Sequence, residues 1–163
     1  HPDLKSPENV FVDDKRDLMA VADYDNSSIL LFDLNGQLKW KQSLGLAHGV
    51  LIDGDFVYAT GLSNIPLAKL DLKNGSIIKE NKLIGVEKGE LLYATQVVKV
   101  PNQNNIAVIN TNSGRVVTYN SDLEFISEFG SMGPQPDQFY RPYGLYFDAD
   151  KILIADTQKN LLP

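Results

Sequence analysis

Four stretches of this chain repeat one another, and the repetition limits the fold more than any other property of the sequence. Residues 10–23 (VFVDDKRDLMAVAD), 50–60 (VLIDGDFVYAT), 97–110 (VVKVPNQNNIAVIN) and 145–156 (LYFDADKILIAD) each hold an apolar strand, a short polar turn and a second apolar strand. The first strands end at Asp13, Asp53, Pro101 and Asp148, in steps of 40, 48 and 47 residues. The second strands end at Asp23, Thr60, Asn110 and Asp156.

Three of the units continue into two more strand-like runs, at 28–45, 67–83 and 114–130. Asn35-Gly36 and Asn74-Gly75 fit two-residue hairpin turns there, and residues 120–122 fit the third turn. Alternating apolar residues in RVVTYN and LEFISEF suit strands with one face on a neighbouring sheet, and no segment carries a helical period. Several strands per unit at a period of about 40 to 50 residues is the pattern of propeller blades. The expectation is therefore an all-β chain, a β-propeller of four-stranded antiparallel blades with about three and a half blades present. Blade 1 covers about 7–45, blade 2 about 46–85, blade 3 about 94–130 and a partial blade 4 about 139–160, all within a single propeller domain or fragment spanning 1–163.

Bulk properties exclude several classes. Hydrophobic residues make up 43% of the 163, enough for a core, and the uncharged apolar runs fall short of the roughly 18 residues of a membrane-spanning helix. A formal charge of -6 without any Lys/Arg run argues against a nucleic-acid partner. With no cysteine, disulfides, thiolate metal sites and cysteine nucleophiles are ruled out.

Residues 129–160 resemble the NHL-type repeat of six-bladed β-propellers. Phe129, Gly130, Phe139, Pro142, Gly144, Asp148, Ala155, Asp156 and Asn160 match its pattern, and Pro7, Asp13, Ala22, Asp23 and Asn26 repeat part of it near the other end. Asn9 replaces the Gly in the first unit, Thr60 and Asn110 replace the strand-ending Asp, and Pro101 replaces another Asp. The resemblance implies the fold. Because the family contains RNA binders, lyases, receptors and secreted bacterial proteins, it implies little about activity.

Aligning the innermost strands on Val12, Ile52, Val100 and Phe147 places Glu8, His48, Gln96 and Tyr143 at equivalent positions, a polar ring at the channel mouth. A carboxylate beside an imidazole makes Glu8 and His48 the candidates for a divalent cation, as in lactonase-like propellers, although a wet channel mouth tolerates any polar residue. Asp23, Thr60, Asn110 and Asp156 are expected to cap their own turns by accepting amide hydrogen bonds. The alternative, calcium, lacks the oxygen spacing in 23–26 and 53–55. His48 is the one internal histidine, and no G-x-S-x-G phrase supports a nucleophile. Trp40 is expected to pack between blades, and the Gly/Pro-rich loop 130–142 to connect them.

The leading functional expectation is a noncatalytic binding or scaffold module that meets a protein partner or copies of itself, without a cofactor. A metal-dependent lactonase or arylesterase with its site at the mouth is the alternative, and an RNA-binding NHL module is a second one that the acidic balance opposes. An extracellular or periplasmic location is expected. The two-stranded blade and incomplete ring point to a piece of a longer propeller or a protomer of an assembly, and the start at His1, not Met, with the abrupt NLLP end, favours the piece.

Overall fold

The computed structural model describes residues 1–148 and 151–158, so Asn160 lies outside the described residues. Four antiparallel sheets follow one another along the chain. The first holds β1 (Pro7–Asp13), β2 (Leu18–Asp23), β3 (Ser28–Asp33) and β4 (Leu38–Ser43), in that order across the sheet. The second holds β5 (Ala47–Asp53), β6 (Phe56–Gly61), β7 (Leu67–Asp71) and β8 (Ile77–Asn81). The third holds β9 (Ala94–Lys99), β10 (Asn105–Asn110), β11 (Arg115–Asn120) and β12 (Phe125–Phe129), and the fourth pairs β13 (Pro142–Asp148) with β14 (Lys151–Asp156). These are three full blades and the inner half of a fourth. A 3-10 turn at Thr111–Ser113 is the sole helical element among the described residues.

Blades pack face to face, and the strand sequences show it. Middle strands are covered on both faces and are apolar nearly throughout, as in SILLFD of β3, where all six residues are buried. Outer strands alternate, as in LKWKQS of β4, where Trp40 turns inward. One cluster joins the first two blades through Ala20, Ile29, Leu31, Val50, Ile52 and Leu70. A second joins blades 2 and 3 through Leu51, Tyr58, Val97, Val108 and Tyr119. A third carries Ile109 and Val116 against Leu145 of the fourth sheet.

Aromatic polar tips are satisfied across these joints. Trp40 Nε1 donates to Leu72 O at 2.8 Å, over a Gly75 whose own Cβ would come within 2.7 Å of the indole. Tyr58 Oη donates to Ser121 O, and burial, then Asp53 and Asp122, push its phenol up to about 12. Tyr119 Oη donates to Gly89 O at 2.9 Å in a fully buried site, and burial raises its pKa as well.

The residues ending the second strands do more than cap their own turns, where Asn26 Nδ2 donates to Asp23 at 2.6 Å and Gln158 N donates to Asp156 at 3.3 Å. Asp23 accepts from the amides of Lys5 and Ser6 at 2.8 and 2.7 Å. Asn110 Oδ1 accepts from Leu92 and Tyr93, and Asp156 accepts from Tyr140 and Arg141. In these three blades the two amides belong to the segment entering the inner strand, so one side chain clamps the connector to the blade it feeds. The next residue adds a reciprocal bond, from Tyr24 N to Ser6 O, Leu62 N to Leu46 O, Thr111 N to Tyr93 O and Thr157 N to Arg141 O.

That series corrects the place of Thr60. In the second blade the clamp position is Gly61, paired with Ala47 as Asp23 is with Pro7. A Cβ at Gly61 would stand 2.7 Å from Gly45 O, leaving no room for a carboxylate. Its short connector is tied instead by Leu44 N and Gly45 N to Ser27 O, while Thr60 Oγ1, one residue earlier, accepts from Gly49 N.

The hairpin that follows is capped by its own strand-ending residue in each of the three full blades. Asp33 Oδ1 accepts from Asn35 and Gln37, Asp71 Oδ1 from Lys73 and Asn74, and Asn120 Oδ1 from Asp122 and Glu124. These loops are longer than the two-residue turns expected at Asn35-Gly36 and Asn74-Gly75. Asp33 N bonds Gln37 O and Asp71 N bonds Ser76 O, with Gly36 and Gly75 at φ +87 and +75 as the left-handed residue that closes each loop.

Asp23 gives the first test. Burial raises its pKa, but the bonds from Ser6, Lys5 and Asn26 outweigh this and hold it below the ordinary value. Such a depressed carboxyl contributes stability above about pH 4 that is lost as the pH falls through its folded pKa. Asp23→Ala is expected to cost about 1–3 kcal/mol in urea unfolding at neutral pH, the range for leaving buried donors unpaired. Asp23→Asn should cost less, since Asn110 fills the same role, and should flatten the loss of stability in acid.

Candidate functional site

Each inner strand starts with a β-bulge, one residue with no partner opposite. The unpaired residues are Glu8 in β1, His48 in β5 and Tyr143 in β13. In β9 the bulged residue is Thr95, because Gln96 pairs with Ile109 and Ala94 with Asn110. Gln96 therefore sits one place from the ring expected for it, level with Asn9, Gly49 and Gly144. The slip arises at Pro101, which lies in the turn. Val100 N bonds Asn105 O, so Val100 and not Pro101 is the position equivalent to Asp13 and Asp53. A slip of one residue in a strand exchanges its two faces.

The corrected register shows how neighbouring inner strands are joined. Asn9 Oδ1 accepts from Val50 N at 3.3 Å, and Gln96 Oε1 accepts from Leu145 N at 2.5 Å. Both amides reach the same place on the next blade, one residue past its Gly49 or Gly144. The middle joint uses a different device because Gly49 is confined: a Cβ there would come within 2.9 Å of Gln96 Cα and Thr95 O. His48 supplies the bridge, with Nδ1 3.1 Å from Thr95 O. A carbonyl only accepts, so Nδ1 carries the proton and Nε2 is left as an acceptor. From Thr95 the chain of bonds runs on through Thr111, whose hydroxyl donates to Pro142 O at 2.7 Å.

Aromatic rings gather around His48, which is buried. Its centroid lies 6.3 Å from Tyr24, 6.1 Å from Tyr93 and 5.9 Å from Tyr143, with edge-on or tilted planes. The Arg141 guanidinium sits 5.5 Å over Tyr143. Burial raises the Tyr93 phenol first, and its hydrogen bond with Tyr143 raises it further. The mouth thus offers three phenols, one imidazole acceptor and one exposed cation. Tyr24 and Tyr93 were invisible as members of this cluster in sequence, although each is adjacent to clamped backbone: Tyr24 follows Asp23, and Tyr93 is one of the amides held by Asn110.

Glu8 stands apart from this arrangement in character, exposed on a shallow hollow with Pro7 and Val10. Among the described residues no group of three or more His, Asp or Glu side chains gathers to hold a metal ion. A cation at the mouth would need other ligands than the pair Glu8 and His48 alone.

Comparison with known proteins supports the fold. No family model matches the chain, and no curated protein matches it in sequence. Solved structures do. Hydrazine synthase from Kuenenia stuttgartiensis superposes with a TM-score of 0.71 at 15% identity, over 91% of this chain and 40% of that one. The computationally designed Ika8 protein gives 0.63 at 11% identity, over 91% and 42%. BamB from Moraxella catarrhalis gives 0.55 at 15% identity, over 75% and 36%. The chain spans less than half the length of each of these structures, and at such identities the likeness is one of fold, the β-propeller.

The tyrosine cluster can be read by alkaline titration of phenolate absorbance. The phenol assigned by comparison with Tyr93→Phe is expected to ionise above the ordinary value of about 10, and Tyr143→Phe should bring it down part of the way. An ordinary value in the wild type would contradict the arrangement described.

Proposed function

We propose that this chain is a noncatalytic propeller module that binds protein, either a partner or further copies of itself. One observation carries the proposal: both end blades present apolar side chains to solvent. In β13 and β14, Leu145 and Ile154 face the third blade, so strand alternation turns their neighbours Tyr146 and Leu153 outward, at 64% and 54% exposure. At the other end Phe11 faces the second blade, and Val10 and Val12 point away at 55% and 45% exposure.

Scattered exposed apolar residues need no explanation, but paired ones on a sheet face do. Tyr146 and Leu153 are cross-strand partners, and β14 has β13 as its one neighbour among the described residues. A sheet edge of this kind accepts another strand, and an apolar sheet face accepts another sheet. At about 25 cal/mol per Å2, covering such a face is a substantial driving force for association. The His48 environment supports the same reading, since the imidazole is held in a joint between blades.

Sedimentation equilibrium over a wide concentration range tests the proposal. Reversible association is expected, weakened by Leu153→Lys and Tyr146→Lys and little changed by Lys substitution at exposed Ile78 on β8. An ideal monomer of this chain at every concentration, unaffected by either substitution, would refute self-association and leave only a foreign partner.

A further inference from the structure

Below the mouth, the inner strands line a half-open cavity of about 270 Å3. Its lining combines Phe11, Val50 and Leu145 with the polar side chains of Asn9, Gln96 and Lys99. The Lys99 amine is engaged by Asp53 Oδ2 at 2.5 Å. The two amides are different. Backbone N–H groups can only donate, so the oxygens of Asn9 and Gln96 must be the atoms that meet Val50 N and Leu145 N. That fixes which way each amide is turned. Neither NH2 group has a hydrogen-bond partner among the described residues, and both residues are half-buried at the cavity wall.

A wall of this kind is selective. Its uncommitted polar groups on Asn9 and Gln96 are donors, and the surfaces between them are apolar. Small-molecule sites commonly have this make-up, an apolar hollow with a few oriented polar groups, and a volume at or below the lower end of their usual 300–1,000 Å3 calls for a small occupant. We propose that the cavity binds a small apolar molecule headed by an oxygen acceptor, a carboxylate or a ketone, to which the NH2 groups of Asn9 and Gln96 donate. A cationic head of the same length meets donors facing donors and is rejected. The wall shares Val10 and Tyr146 with the exposed end faces, so the two proposals are separated with Leu153→Lys, which lies outside the lining: it weakens association and leaves octanoate binding unchanged.

The test uses octanoate, 2-octanone and octylammonium as probes, titrated into isotope-labelled protein while the side-chain NH2 signals of Asn9 and Gln96 are followed by NMR. Octanoate and 2-octanone are expected to move both signals, and octylammonium to bind at least about tenfold more weakly, the ratio that one lost hydrogen bond can produce. Asn9→Asp and Gln96→Glu retain an oxygen for Val50 and Leu145 but remove the donors. Each should weaken octanoate by about tenfold or more and narrow or reverse the preference over octylammonium. If a variant fails to fold, the wild-type selectivity and the two NH2 signals still decide. Equal binding of octanoate and octylammonium, unmoved NH2 signals, or no octanoate binding at its solubility limit would overturn the proposal.

Discussion

Three of the four inner strands depend on a side chain that is not their own. The oxygen of Asp23, Asn110 or Asp156 holds two successive amides of the segment about to enter β1, β9 or β13. A connector running over a propeller end has no strand beside it to pair these amides. The clamp satisfies them, and by fixing two residues before the strand it fixes the register of the strand itself. Blade 2 shows what the clamp replaces. There the connector is so short that it lies against Gly61, and direct backbone bonds take over.

With register set, the joints between inner strands follow. The bulge turns Glu8, His48, Thr95 and Tyr143 out of the ladder, and the next residue reaches the neighbouring blade wherever it has a side chain long enough. Asn9 and Gln96 do so. Gly49 has no room for one, and His48 bridges instead. The same two amides that join the strands line the central cavity, so one set of residues both holds the blades in order and gives the cavity its polarity.

Much of this was legible in the sequence, and the limits are physical. Repeats of strand, turn and strand mark the blades because middle strands must be apolar on both faces, as LMAVAD of β2 and NIAVIN of β10 are after their turns. Side-chain capping was legible as chemistry but only half as address: Asp23 accepts from Asn26 in its own turn, and also from amides 17 and 18 positions earlier that no local pattern announces. Thr60 and Gln96 were each misplaced by one residue. The hairpins differ in length, with two residues between Asp53 and Phe56 but four between Asp13 and Leu18, so a common end point cannot be read across them. The clustering of Tyr24 and Tyr93 about His48 joins residues far apart in the chain, which no local pattern announces.

The claim that side-chain clamps hold the connectors and set strand register is tested most directly by native-state hydrogen exchange. The amides of Lys5, Ser6, Leu92 and Tyr93 lie outside every strand. If Asp23 and Asn110 hold them as described, they exchange as slowly as the strand amides of β1 and β9 and lose that protection together in Asp23→Ala and Asn110→Ala at the respective site. Exchange at the rate of the exposed loop at 102–104, with protection starting only inside the strands, would contradict the account.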